Sequence, residues 1–156
     1  MRLEPCTIRR ALPGDGVCLL EMMRELAAFE GYLDDFRVTA SELEARAFGP
    51  APQCAILVAQ APGGALAGYA VYLVTPFTYD LRPTVTLKEL YVARDCRGQG
   101  VAPALLAHLR QQALDIKAGR IHWLVLPSND KARRLYRRFG GAPDTDWEHW
   151  QLGLPP

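Results

Sequence analysis

The chain has 156 residues, enough for one domain with a real hydrophobic core. With 49% hydrophobic residues, 22% charged residues and a formal net charge of +1, it has neither a disordered composition nor a basic surface suited to nucleic acid. No apolar run reaches the ~18 residues of a membrane span, and the first residues lack the apolar stretch of a secretory signal. The four cysteines, Cys6, Cys18, Cys54 and Cys96, are far apart and form no Cys-x-x-Cys pair, and His108, His122 and His149 show no metal-ligand spacing. The expectation is a single domain over 1–156, reduced, cytoplasmic and without a metal, membrane or nucleic-acid partner.

A short strand is expected over Cys6–Arg10. Leu12-Pro13-Gly14-Asp15 is a turn, and Asp15 is a candidate cap for the helix that follows. Leu19, Met22, Met23, Leu26 and Phe29 form the apolar face of that helix, which Gly31 ends. Thr39-Ala40-Ser41-Glu42 reads as a capping box for a second helix running to about Phe48. Strands follow over Cys54–Gln60 and Ala65–Val74, with Gly68 as a candidate bulge position. Thr84–Val92 is a third strand in this region. Val101, Leu105, Leu106, Leu109, Ala113 and Leu114 carry a helical period after it. Arg120–Leu126, almost wholly apolar, reads as a strand buried on both faces. Asn129 starts a last helix, with Ala132, Leu135, Tyr136 and Phe139 on one stripe, and Trp147–Leu154 reads as a closing strand.

The turn between Val92 and Val101 carries the strongest chemical signal. Glycine permits close backbone approach, and the first amides of a helix have no partner within it. Arg97-Gly98-Gln99-Gly100-Val101-Ala102 therefore suits an anion, above all a phosphate. Pro103 stands where a dinucleotide fingerprint needs a small residue, and no acidic residue follows about twenty positions on. The Gly-Lys-Ser/Thr of an ATPase phosphate loop is absent.

Arg-x-x-Gly-x-Ala instead resembles the pyrophosphate-binding motif of the GNAT superfamily of N-acetyltransferases. Other pieces match the diamine (spermidine/spermine) branch of that family in the same order. They are Arg24–Glu30, Phe77-Thr78-Tyr79-Asp80, Leu87–Ala102, Asn129 with Leu135–Gly140, and the late Trp150. The resemblance implies an α/β domain with a mixed, mostly antiparallel sheet flanked by helices, in the order β-α-α-β-β-β-α-β-α-β. It implies acetyl transfer from acetyl-CoA to a primary amine of a small molecule, in a ternary complex. It also suggests a homodimer. Acetylation of a protein N-terminus or lysine, and a non-catalytic acyl-CoA sensor, are the alternatives.

By the same resemblance, Leu90 and Val92 offer backbone groups to the pantetheine arm, and the Leu90 N–H polarises the acetyl carbonyl. Arg97, Gly98, Gln99, Gly100, Val101 and Ala102 hold the pyrophosphate, with one donor fewer because Pro103 has no N–H. Asn129 contacts the cofactor and Tyr136 protonates the leaving thiolate. Glu89 is the base or amine-binding carboxylate, and Phe29 and Glu30 contact the amine. Asp34, Asp35 and Asp80 are candidates for added negative potential, and Arg133, Arg134, Arg137 and Arg138 for the 3′-phosphate. An acetyl-cysteine route through Cys96 finds no His and Asp partners. One departure stands out: Lys88 occupies the position of a family acid. Regular strand alternation would send Lys88 and Glu89 to opposite faces.

Overall fold

The computed structural model of the protein describes residues 5–156. Five strands form one sheet in the order β1-β2-β3-β4-β5. They are β1 (Thr7–Arg10), β2 (Ala55–Gln60), β3 (Leu66–Thr75), β4 (Thr84–Val92) and β5 (Arg120–Trp123). The first four pair antiparallel and β4 pairs parallel with β5, so the sheet is mixed and mostly antiparallel as expected. Helices α1 (Gly16–Glu30) and α2 (Ala40–Leu43) precede β2, α3 (Val101–Asp115) joins β4 to β5, and α4 (Asp130–Phe139) follows β5.

Each face of the sheet carries its own core. On one, Leu19, Met22, Met23 and Leu26 of α1 pack on Val58, Tyr69, Val71 and Tyr91. On the other, Leu105, Leu106 and Leu109 of α3 pack on Leu57, Ala70, Val85 and Leu87, and Leu135, Tyr136 and Phe139 of α4 close its margin. Gly68 lies where the sheet is tightest: a Cβ there would sit 2.5 Å from the Tyr91 carbonyl oxygen. The neighbouring irregularity in the β2–β3 register agrees with the expected bulge.

Several expectations fail for physical reasons. Asp15 does not cap α1; its carboxylate accepts from Arg9 at 2.7 and 3.0 Å and from the Leu12 amide at 2.7 Å, closing the turn instead. The second helix does reach Phe48 as expected, α-helical to Leu43 and π-helical over Glu44–Phe48. Only half of its capping box forms, with the Thr39 hydroxyl accepting from the Glu42 amide at 3.2 Å. Phe29 is 60% exposed, because α1 ends beyond the edge of its core. The apolar run from Arg120 pairs only to Trp123, and Leu124 is 71% exposed, since the chain there turns away from β4. The closing strand at Trp147–Leu154 does not form. That segment has strand composition but no strand beside it, and Trp147, Trp150, Leu152 and Leu154 are all exposed. No helix among the described residues is long and apolar enough to cross a membrane.

Candidate active site

Two local events on β4 open a cleft. Pairing with β5 ends at Leu87–Trp123. At the same point the β3–β4 register slips by one residue: Tyr72 faces Leu87 and Val71 faces Glu89, leaving Lys88 as the extra residue of a bulge. Beyond it, β4 has a strand neighbour on one side only.

The direction of its free groups follows from one hydrogen bond. The Ala93 amide donates to the Ala67 carbonyl of the β3 end, at 2.9 Å. The Val92 carbonyl, in the same peptide unit, therefore points the other way, to the open edge. In a strand the N–H and C=O of one residue share a side and alternate residues repeat it. Val92 and Leu90 thus both aim N–H and C=O at the cleft. At present Arg97 crosses this edge, its Nε donating to the Val92 carbonyl at 3.0 Å and its guanidinium lying 5.5 Å from the Tyr91 ring centroid.

The cleft, about 800 Å³, runs from Phe29 and Glu30 at the end of α1, along Lys88–Val92, to Arg97, Gly98, Val101 and Ala102 at the start of α3. Trp123–Leu126, Asn129 and Tyr136 form its opposite wall. Gly98 and Gly100 have φ of +75° and +83°, a conformation that favours glycine, and nothing lies within 4 Å of where a Cβ on either would be. The amides of Val101 and Ala102 begin the helix with no intrahelical partner; Pro103 has none to give, and the Ala104 amide already bonds the Gly100 carbonyl at 3.1 Å. The Gln99 side chain folds back onto the Asp95 carbonyl at 2.8 Å, so Gln99 and Gly100 shape the turn without lining the cleft.

Glu89 accepts a hydrogen bond from the Tyr69 hydroxyl at 2.8 Å. Burial pushes its carboxyl above the usual range and the nearby Glu30 adds to this, while the Tyr69 bond and the Lys88 charge pull it down. Glu30 is itself raised by desolvation. Tyr69, fully buried, was not singled out by sequence; in a strand it reads as one more core aromatic. The usable signal is its hydroxyl, which a fully buried tyrosine must satisfy.

Tyr136 faces Trp123, ring centroids 4.9 Å apart. Burial, then Glu30, push its hydroxyl up to about 12. That hydroxyl has no hydrogen-bond partner among the described residues, and Tyr136 lines the cleft. Asn129 caps α4, its carbonyl oxygen accepting from the Ala132 amide at 3.1 Å, and also lines the cleft. Of the arginines of α4 only Arg138 reaches the lining, joined by Lys131, which sequence reading passed over.

Other candidates fall elsewhere. Asp80 bonds Thr78 at 2.6 Å and Arg120 at 2.9 Å, holding a loop together, and does not line the cleft; nor do Asp34 and Asp35. Cys96 lines it, as a free thiol, without a histidine beside it in the lining.

The arrangement suits an elongated ligand with amide groups along β4 and a phosphate at α3, beside a carboxylate and a protonated phenol. Known proteins agree. Residues 20–141 match the model of the acetyltransferase (GNAT) family. The chain is 33% identical over 150 residues to thialysine N-epsilon-acetyltransferase of Sus scrofa, covering 92% of this chain and 88% of that one. It is 33% identical over 153 residues to spermidine/spermine N(1)-acetyltransferase-like protein 1 of Homo sapiens, covering 93% of this chain and 22% of that one. Among solved structures, a probable acetyltransferase superposes with a TM-score of 0.82 at 23% identity, over 96% of this chain and 99% of that one. An aminoglycoside acetyltransferase from an uncultured soil metagenomic sample, in complex with sisomicin, gives 0.78 at 16% identity over 96% of both chains. The chain belongs to the GNAT family of acetyltransferases and is an N-acetyltransferase, with curated relatives in the diamine branch.

Proposed function

We propose that this enzyme moves the acetyl group of acetyl-CoA to a primary amine of a small molecule by direct attack in a ternary complex. One observation carries the reading: Glu89 and Tyr136 line the same cleft, with the free edge of β4 between the two walls. The relatives are named for acetylating thialysine at its ε-nitrogen and spermidine or spermine at N1, which supports a small amine as acceptor. The dimer and the cytoplasmic setting are part of the same proposal. The exposed apolar tail supports the first and four free cysteines the second.

The residues fit acetyl-CoA, whose thioester supplies an activated acyl group. Free amides at Val101 and Ala102, with open space beside Gly98 and Gly100, suit the pyrophosphate. Leu90 and Val92 offer edge groups to the pantetheine amides, and the Leu90 N–H stabilises negative charge on the acetyl carbonyl oxygen. Asn129 lines the wall where it can contact the cofactor, and Lys131 or Arg138 can meet a further phosphate.

An alkyl ammonium loses its proton near pH ~10, so an amine arrives charged and unreactive. Phe29 and Glu30 hold it at the mouth. Glu89 takes the proton, directly or through a water, and its raised pKa brings it closer to that task. Tyr136, protonated at neutral pH, donates to the departing sulfur. A thiol-release assay with acetyl-CoA and a panel of primary amines tests the proposal. Turnover of small amines is expected; acetylation of peptide N-termini or lysines alone would replace the acceptor, and acetyl-CoA binding with no transfer would make the domain a sensor.

A further inference from the structure

The bulge on β4 alters what the charges around the cleft can recognise. Val85 and Leu87 point into the α3 core, as do Leu90 and Val92, two odd and two even positions. The parity changes between Leu87 and Leu90, across Lys88 and Glu89. Glu89 points to the α1 face, where it meets Tyr69. In a bulge the extra residue and its successor lie on the side of the single residue opposite them. That residue is Val71, which is in the α1 core. Lys88 and Glu89 therefore share a face, against the expectation from regular alternation, and both line the cleft.

Position along the strand assigns Lys88 its side of the reaction. The phosphate cradle abuts Val92, and Leu90 and Glu89 follow. Lys88 lies at the far end of the unpaired edge, beyond the carboxylate. It is exposed and makes no ion pair or side-chain hydrogen bond among the described residues. The other cations in the lining, Arg97, Lys131 and Arg138, belong to α3's approach and to α4. The acceptor end thus holds two carboxylates, Glu89 and Glu30, and one ammonium.

Building on the acetyl transfer proposed above, we infer that Lys88 is a specificity residue that selects amines carrying a carboxylate. The reacting amine sits against Glu89 and Glu30, and the acid end of the same molecule pairs with the Lys88 ammonium. A diamine would bring a second cation to Lys88. A unit charge pair at 4 Å is worth about 1 kcal/mol in bulk water and more near a protein surface, and each 1.4 kcal/mol is about tenfold.

Three acceptors of equal chain length isolate the effect: pentylamine, cadaverine and 5-aminovalerate end in methyl, ammonium and carboxylate. The measurement is kcat/KM for each, with acetyl-CoA, in wild type, Lys88→Ala and Lys88→Glu, all checked for folding by circular dichroism. The wild type should prefer 5-aminovalerate to cadaverine by roughly tenfold or more. Lys88→Ala should shrink this ratio and Lys88→Glu should invert it, with loss of the effect in high salt. A wild-type preference for cadaverine, or a ratio that is the same in all three proteins, overturns the inference while leaving the acetyl transfer standing. No turnover of any of the three would overturn both.

Discussion

The sheet leaves strand edge uncovered in two neighbouring places, and they differ in kind. Along β4 beyond Leu87 the free N–H and C=O groups lie inside a cleft, with the half-buried Glu89 carboxylate, Tyr136 and a helix start around them. On the outer side of β5 no strand follows, and in the tail after α4 the large uncovered residues are apolar: Trp147, Trp150, Leu152 and Leu154 are each more than 80% exposed. The first region is lined by the polar groups proposed to hold a ligand. The second is unpaired within the chain although its composition is that of a strand. An open edge therefore has no single meaning; its flanking chemistry decides.

The largest effect separating them should come from Tyr136→Phe. The ring contact with Trp123 remains and no hydrogen bond is lost, so the melting temperature should hold. The proposed proton donor is gone, and kcat should fall roughly 10²-fold or more. Undiminished kcat in a folded Tyr136→Phe enzyme would return Tyr136 to a packing role. Next is Gly100→Val. Its backbone has φ +83°, costly for a β-branched residue, and the added methyls enter the open space by the helix start. Acetyl-CoA affinity by calorimetry should drop about tenfold or more, with modest loss of stability. Unchanged affinity would remove the phosphate from this turn.

A smaller and more specific effect concerns Glu89. Its raised carboxyl should place the acid limb of kcat/KM above the ~4.3 of a free glutamate, because the base must lose its proton before it can act. Tyr69 opposes that shift by donating to Glu89. Tyr69→Phe should therefore move the limb to higher pH, with a several-fold loss of rate near neutrality. A rate loss with an unmoved limb would make Tyr69 a packing residue only.

Legibility in the sequence divides along the same line. The turn at Arg97–Ala102, the α3 period and the Asn129 start are local patterns, and each was readable where it stands. That Glu89, Tyr136, Phe29 and Glu30 share one cleft was readable only because separated pieces of the chain resemble one family. The bulge at Lys88 was not readable: it depends on the register of β3, and strand alternation argues against it. Tyr69 was hidden because its role is a bond across the sheet to Glu89. The tail was misread because composition reports what a segment prefers and not whether a partner strand exists.

The smallest effect on the folded chain, and the one that tests the second region, is Trp150→Ser. Trp150 is 84% exposed and its indole bonds only to nearby Glu148, so it contributes little to this chain's own core. A surface change of this kind typically stays within ±0.5 kcal/mol, whereas Leu105→Ala, at a fully buried position, should cost about 2–5 kcal/mol. The two differ further in how concentration acts. A tail pairing with a second copy gains stability by mass action, so the wild-type melting temperature should rise with protein concentration. In Trp150→Ser that dependence should weaken, and sedimentation should show the dimer shifting to monomer. A wild type that sediments as a monomer throughout, with a melting temperature indifferent to concentration, would leave the β5 edge and the tail as exposed surface and end the dimer proposal.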